Sequence, residues 1–588
     1  MLPIIKTLRS GSVPPPLKAK LRVDMRLPLG ALLLTAVLGA CQTTPAPVAD
    51  HVQTSGVVVA ANPLAVDAAT AVLRRGGTAM DAAVAVQLML GLVEPQSSGI
   101  GGGAIIMAYD ARSQAVTSYI GREAAPALAD GSLFQDADGK PLSRADAMLS
   151  GGATGVPGAV AVFSQAQREH GKLAWEQLFA ETIEKAEQGF QVTPRLQEHI
   201  DGAFPQASAP DVRRFFSHPD GRPLRTGDLV RNPEYAATLR KLAQGNAPAF
   251  YRGELAEAIV ARTHESPRPG QLTARDLGEY APEKAEPLCR PLRAYILCVP
   301  RPPTSGVGLL QLMAMLDGTD IDQRGPEDPQ SWFLFAEASR IMYADRDHYV
   351  GDPRFDEVPV EGLLAPAYVD QRRALIGKTA AASHVYGQPP GAGTHGPDRT
   401  DEPGGTSHFV VVDRWGNAVS VTTTIESFFG SGRMVDGFFL NNQLTDFSWS
   451  SGSDPDAANA IEGGKRPRSS MTPVIILDRD GRFVGALGSP GGSAIPAYIG
   501  KTLVGLVYWD LSLQDAVALP NLVVRGKRFN GEAPRFAPGV LDALSQRGMT
   551  VRAGSGEDSG LHGVFYRDGV LEWAADPRRE GVGKEVVQ

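Results

Sequence analysis

The feature that most constrains this chain is an abrupt change of character at residue 406. From Lys378 to Gly405 the sequence is crowded with Gly, Pro and small polar residues and shows no apolar periodicity, the signature of an exposed, mobile segment. Directly after it, Thr406 to Val412 reads as a β-rich run, Asp413-Arg414-Trp415-Gly416-Asn417 as a turn, and Ala418 to Ile425 as a second strand rich in Val and Thr. A flexible linker thus ends at a strand whose first residue is threonine. If Asp413 to Asn417 form the hairpin loop, Val412 faces Ala418 and outward counting sets Thr406 opposite Thr424, with Glu426 just beyond; a bulge would move this register by one.

A threonine hydroxyl is a poor nucleophile until a base takes its proton, and one solution is the threonine's own α-amine once that residue is a chain terminus. A free α-amine titrates at about 7.7–8.0, so part of it is unprotonated at neutral pH. Such an amine exists here only after cleavage. The Thr406 hydroxyl would attack the Gly405 carbonyl, giving an ester that water then opens, and glycine suits a closely approached peptide bond. A second hydroxyl at Thr424 would orient the first. The plain alternatives are that a strand simply starts after a loop, and that cross-strand threonines pair without chemistry.

The remainder of the chain gives context. With 588 residues, 43% of them hydrophobic and 21% charged, it is a packed globular protein with room for three or four domains or one large core. A net charge of -8 and no long Lys/Arg run leave no basic surface for nucleic acid. Val57 to Ala60 reads as a strand, followed by two alanine-rich helices broken at Arg75-Gly76-Gly77. The run Gly99-Ile100-Gly101-Gly102-Gly103-Ala104 looks superficially like a dinucleotide loop, but a helix precedes it and a strand follows, the reverse of what pyrophosphate binding requires. It is read as a turn permitting close backbone approach. Helical patterns predominate from about Gly155 to Ile376, and the ten histidines show no metal-ligand spacing. No cofactor is expected.

Residues 1–40 have the pattern of an export signal: a basic stretch, then an apolar run from Leu27 to Ala40 that is too short to span a membrane. The run ends in Leu38-Gly39-Ala40-Cys41, which resembles a bacterial lipobox, so Cys41 is a candidate lipidated first residue and 41–49 a tether. Ordinary cleavage near Ala40, with a soluble periplasmic product, is the alternative, and Met25 begins a more compact signal than Met1. Export permits disulfides. Cys289 and Cys298 flank a segment able to fold back as a hairpin and join them, the alternative being two buried free thiols.

Ordered motifs then converge on one family. Thr406-Ser407-His408, Gly416-Asn417-Ala418-Val419, Phe429-Gly430-Ser431-Gly432, Leu440-Asn441-Asn442-Gln443, Asp446-Phe447, Lys465 to Met471 and Gly488-Ser489-Pro490-Gly491-Gly492-Ser493 resemble the small subunit of γ-glutamyltranspeptidases. Gly76 to Ala83, Pro95 to Gly103, Arg122-Glu123-Ala124-Ala125-Pro126 and Gly155-Val156-Pro157-Gly158 resemble the large one. The resemblance implies an α+β, four-layer αββα N-terminal nucleophile hydrolase fold, autoprocessed before Thr406 into two interleaved subunits: residues 50–405, of which 378–405 are the flexible pre-cleavage segment, and residues 406–588. It implies transfer of the γ-glutamyl group of glutathione or a related amide to an amino acid, a peptide or water through a γ-glutamyl-threonine ester.

Carried over by position, Thr406 is the nucleophile, Thr424 its orienting partner, and the amides of Gly491 and Gly492 an oxyanion hole, where fixed N–H donors stabilise the charge of a tetrahedral intermediate. Arg122, helped by Ser469 and Ser470, would grip the donor's α-carboxylate, and Gln443, Asp446 and Glu426 would receive its α-ammonium. Two departures stand out. Some relatives have Asn where Glu426 stands, and the segment from Asp446 to Ser469 is shorter than in relatives with a lid, which implies a more open pocket with hydrolysis competing with transfer. The rival readings are an amidase of the same fold acting on another acyl group, such as a cephalosporin acylase, and an uncut, non-catalytic lipoprotein, whose mark would be loss of Thr406 or Thr424. Both threonines are present.

Overall fold

The computed structural model describes residues 55–450, 454–553 and 559–587; the export segment, the tether and Cys41 lie outside the described residues. Two antiparallel sheets carry the architecture. Their strands are β1 (Ser55–Ala60), β2 (Gly103–Asp110), β3 (Ala115–Gly121), β4 (Glu283–Ala285), β5 (Leu288–Leu292), β6 (Tyr295–Val299), β7 (Thr406–Val412), β8 (Ala418–Thr424), β9 (Val474–Asp478), β10 (Phe483–Gly488), β11 (His562–Arg567), β12 (Val570–Ala575) and β13 (Val582–Val587). The seven-stranded sheet runs β13-β1-β7-β8-β2-β3-β4 and the six-stranded sheet β12-β11-β10-β9-β6-β5. Strands from before and after residue 406 therefore share both sheets.

The period-2 alternation of strands decides what each face touches. In β7, Val410 and Val412 join Val57, Met107, Ile475, Ala486 and Val564 in an apolar layer between the sheets, while Phe409 and Val411 join the outer layer under the helices Pro63–Arg74 and Ala79–Val93. The second sheet turns Leu297, Val299, Val474 and Ile476 outward to the helices Gly306–Asp317, Pro329–Tyr349 and Ile495–Val507. The layers are helix, sheet, sheet, helix. A sheet covered on both faces needs strands buried throughout, and every residue of β7 and β8 is buried. By the same alternation Thr406, two residues before His408 and four before Val410, lies on the face toward the second sheet.

The β7–β8 hairpin has the register counted from its loop, with Val412 opposite Ala418 and Thr406 opposite Thr424. Asp413 enforces it: its carboxylate accepts from the N–H groups of Trp415 and Asn417, the Asn417 side chain and the N–H of Ala79 at about 3 Å each. The glycine run at 99–103 is the close approach that was expected. A Cβ on Gly102 would lie 2.0 Å from the Thr424 carbonyl oxygen, and one on Gly101 2.1 Å from that of Phe439. Cys289 and Cys298 face each other across the β5–β6 hairpin and are joined as a disulfide.

The linker departs from its expected exposure at its end. Residues 378–399 are mostly exposed, but Thr400 and Glu402 are buried, each 6% exposed. Buried cations of the body hold Glu402 there.

Candidate active site

Thr406 opens β7 and Thr424 closes β8, so the hairpin register alone puts their side chains together. Thr406 Oγ1 donates to Thr424 Oγ1 at 3.2 Å, and Thr424 Oγ1 donates to the Gly405 carbonyl at 2.7 Å. The Glu426 N–H donates to the same Thr424 oxygen at 2.8 Å. One hydroxyl thus links the candidate nucleophile to the carbonyl it would attack. Gly405 is needed where it stands, since a Cβ would sit 2.1 Å from the Glu426 carbonyl oxygen. Arg579, unforeseen in the sequence, donates to the Thr406 carbonyl at 3.1 Å, and Ser407, on the opposite face of the strand, donates to buried Glu94 at 3.0 Å.

Around the threonines a cavity is lined by Arg122, Glu402, Pro403, Glu426, Gln443, Asp446, Ser469, Ser470 and Gly492. All the expected binding residues are gathered there. Its free volume is about 20 Å³, room for about one water, and Glu402 and Pro403 of the linker form part of its wall. Gly491 and Gly492 have φ of 133° and 52°, in the region that favours glycine. A Cβ on Gly492 would lie 2.6 Å from the carbonyl oxygens of both Glu402 and Pro403. The turn therefore packs against the linker backbone, while the Gly405 carbonyl takes the Thr424 hydroxyl.

At one end of the cavity acceptors outnumber donors. Asp446 Oδ2 accepts from Arg122 Nη2 at 2.7 Å and from Gln443 Nε2 at 2.6 Å, and Glu426 Oε2 accepts from Ser427. Asp446 Oδ1, Glu426 Oε1 and Gln443 Oε1 are buried without a hydrogen-bond partner among the described residues. Burial pushes the Glu426 carboxyl well above the usual carboxylate range, with the Asp446 charge adding to it, and burial likewise raises Asp446 against the opposing pull of Arg122. Behind them Glu123, 3.8 Å from Arg122, is pushed up to about 8 by burial that outweighs the arginine. Arg122 is itself engaged, donating also to the carbonyls of Arg468 at 2.6 Å and Pro467 at 3.1 Å.

Behind Glu402 and Ser470, two arginines that do not line the cavity hold the linker. Ser470 Oγ donates to Glu402 Oε2, Arg346 Nη2 donates to that carboxylate at 2.7 Å and to Ser470 Oγ at 2.6 Å, and Arg468 Nε donates to Glu402 Oε1 at 3.1 Å. Despite burial, Arg346 and Arg468 hold the Glu402 carboxyl well below its ordinary range. Ser469 does not reach this pair; its Oγ accepts from the Met471 N–H at 3.2 Å. Sequence reasoning missed Glu402 and Arg346, and it used Arg468 only as part of a motif. Among the described residues no group of three or more His, Cys, Asp or Glu is placed to hold a metal.

The gamma-glutamyltranspeptidase family profile matches residues 65–586. The glutathione hydrolase proenzyme of Bacillus subtilis is 34% identical over 542 residues, 90% of each chain. The acylase ACY 1 proenzyme of a Pseudomonas species is 34% identical over 538 residues, 90% of this chain and 92% of that one. Among solved structures, the cephalosporin acylase from Bacillus halodurans superposes with a TM-score of 0.78 at 26% identity, covering 93% of this chain and 99% of the other.

Proposed function

Because this chain belongs to the gamma-glutamyltranspeptidase family, with the N-terminal nucleophile hydrolase fold, we propose that it is a γ-glutamyl transferase and hydrolase. It acts on glutathione-like amides after cutting itself before Thr406 into residues 406–588 and an upstream piece made of the tether and residues 50–405. The observation that carries the acyl specificity is the buried acidic cluster of Asp446, Glu426 and Gln443, in which both carboxyls are raised and three oxygens have no donor from another residue type among the described residues. An unpaired buried acceptor is costly, and two carboxyls beside an amide carbonyl ask for a cationic group with several donors. The α-ammonium of a γ-glutamyl donor supplies three. A glutaryl group, which lacks it, would leave them unpaired.

For self-cleavage, the Thr406 oxygen bonds to the Gly405 carbonyl carbon. Its proton passes to Thr424 as the Thr424 proton moves to the carbonyl oxygen, so the tetrahedral intermediate forms without separated charge. Collapse breaks the C–N bond, leaving an ester and the free α-amine of Thr406, and water then releases Gly405 as a carboxylate. In the mature enzyme that amine takes the Thr406 hydroxyl proton during attack on a donor amide and returns it to the leaving amine. An amino acid, a peptide or water then takes the γ-glutamyl group. Export, with lipid attached at Cys41, belongs to the same proposal and is checked by loss of labelled-lipid incorporation in Cys41→Ala.

Purified protein should run as two chains whose smaller member begins at Thr406 by N-terminal sequencing, and it should release the chromogenic amine from a γ-glutamyl anilide. Thr406→Ala should abolish both. A single persistent chain would refute self-cleavage. Turnover of glutaryl but not γ-glutamyl anilide would move the assignment to the acylases.

A further inference from the structure

In a chain of net charge -8, cations gather around one hairpin, Leu522–Arg525 and Arg528–Gly531. Two hollows meet there. The first, about 480 Å³, is lined by Arg340, Arg399, Arg525, Lys527 and Arg528, and the second, about 360 Å³, by Lys527, Arg528, Phe529 and Arg552. Each is of the size, about 300–1,000 Å³, that holds a ligand. Lys527 and Arg528 belong to both, so the hollows form one continuous groove.

The groove is short of counter-charge. Arg399, Lys527, Arg528 and Arg552 are exposed and have no ion pair among the described residues. No acid lines the second hollow among those residues. The acids of the first are Asp401 and Asp347, and Asp347 is already shared by Arg346 and Arg525 at 2.8 Å each. Like charges around a concave surface focus a field that gathers anions. A hollow track suits a chain rather than a plane of lipid headgroups, and its cations ask for carboxylates.

The groove also leads to the nucleophile. Thr400 and Asp401 line it, and the next residues, Glu402 and Pro403, line the cavity of Thr406. An extended backbone therefore already passes from one to the other. Tyr343, another lining residue, donates to the carbonyl of Ser493 at 2.6 Å, directly after the Gly491-Gly492 turn.

We propose that this groove binds an acidic peptide, and that in the processed enzyme it takes the carboxylate-bearing tail of a peptide acceptor. An acceptor reacts through its amine, so the remainder of its chain trails outward along the path that the linker marks. In that step the amine nitrogen bonds to the ester carbonyl carbon, the bond to Thr406 Oγ1 breaks, and a proton from the nitrogen returns to that oxygen. The acceptor role rests on the acyl-transfer reading above; the binding of an acidic peptide does not.

The first test is fluorescence anisotropy of a labelled octa-aspartate with the full chain. Binding is expected, weakening as salt is added, and a labelled octa-asparagine should not bind. Lys527→Glu combined with Arg528→Glu should weaken binding about tenfold or more, since two attractions become repulsions. Arg112→Glu combined with Lys140→Glu, the same charge change at exposed positions elsewhere, should alter it less than about twofold. Equal weakening by both pairs, or no binding by the native chain, overturns the groove. So does capture by phosphatidylglycerol vesicles without peptide binding, which would assign a membrane. If the reversed pair does not fold, Arg552→Glu alone should weaken binding about threefold, and no change there is equally fatal. The second test offers the processed enzyme a γ-glutamyl anilide with glycylglycine, or with glycylglycine extended by six aspartates, as acceptor. The Lys527 and Arg528 reversal should raise KM about tenfold for the extended acceptor alone, leaving glycylglycine and hydrolysis within about twofold. Equal KM changes for the two acceptors refute the acceptor role. An enzyme inactive on the anilide refutes acyl transfer itself, while the anisotropy still decides the groove.

Discussion

Two charged groups beside Thr406 are both buried, yet one holds a partner from the linker and the other does not. The cationic group, Arg346, Arg468 and Ser470, already holds a carboxylate from the chain's own linker. The acidic group, Asp446, Glu426 and Gln443, crowds two raised carboxyls together, and three of its oxygens have no hydrogen-bond partner among the described residues. The linker thus supplies a carboxylate to the cationic group and no cation to the acidic one.

The division can be broken most severely at the acidic end. Asp446→Asn should lower kcat/KM for a γ-glutamyl anilide by about 10³-fold, or ~4 kcal/mol, the scale of truncating a buried charge pair, with any glutaryl anilide turnover changed far less. Equal losses would show that the acidic end does not read the ammonium. At the cationic group, Glu402→Gln placed in the uncut Thr406→Ala protein should cost about 3 kcal/mol in denaturant unfolding, because two buried guanidiniums lose their shared partner. An unchanged midpoint would mean that the linker is not fastened there.

The smallest effect sharpens the picture behind Arg122. Glu123 titrates near 8 in the folded chain against an ordinary value of 4.5. Between those values the folded state holds a proton that the unfolded state has lost, so this contribution is complete below about pH 4.5 and declines as pH rises toward 8. Glu123→Gln should remove about 2–3 kcal/mol of the stability loss between pH 6 and pH 8, measured by urea unfolding at both pH values. A slope identical to that of the native chain would show that Glu123 is already ionised at pH 6.

The threonine pair was legible because it depends on short-range order. The Asp413 to Asn417 turn sets the register, and the register delivers Thr424 to Thr406. The glycine run at 99–103 was readable as a close approach for the same local reason, being flanked by the wrong elements for a nucleotide site. The roles of Arg122, Asp446 and Ser470 came from family resemblance, and spacing alone would not have found them. Glu402 was invisible. An acid in a Gly- and Pro-rich stretch reads as solvated, and its partners lie 56 residues upstream and 66 downstream. The resemblance cast Arg122 as a carboxylate clamp, and its contacts to Asp446 and to backbone carbonyls in the uncut chain become visible only once the chain is folded.

The sharing of both sheets by strands from either side of residue 406 has a consequence for the life of the protein after the cut. In the seven-stranded sheet β1 lies between β13 and β7, and β8 pairs with β2; in the other sheet β9 pairs with β6. Once nicked, the two pieces cannot part without tearing out ladders from the middle of each sheet, so dilution will not separate them. The nick also makes folding a one-way journey: a molded single chain assembles the sandwich, whereas two heated fragments must find each other again with the bond between Gly405 and Thr406 gone. The mature enzyme is therefore expected to endure by the slowness of its unfolding, with melting that depends on scan rate and does not reverse.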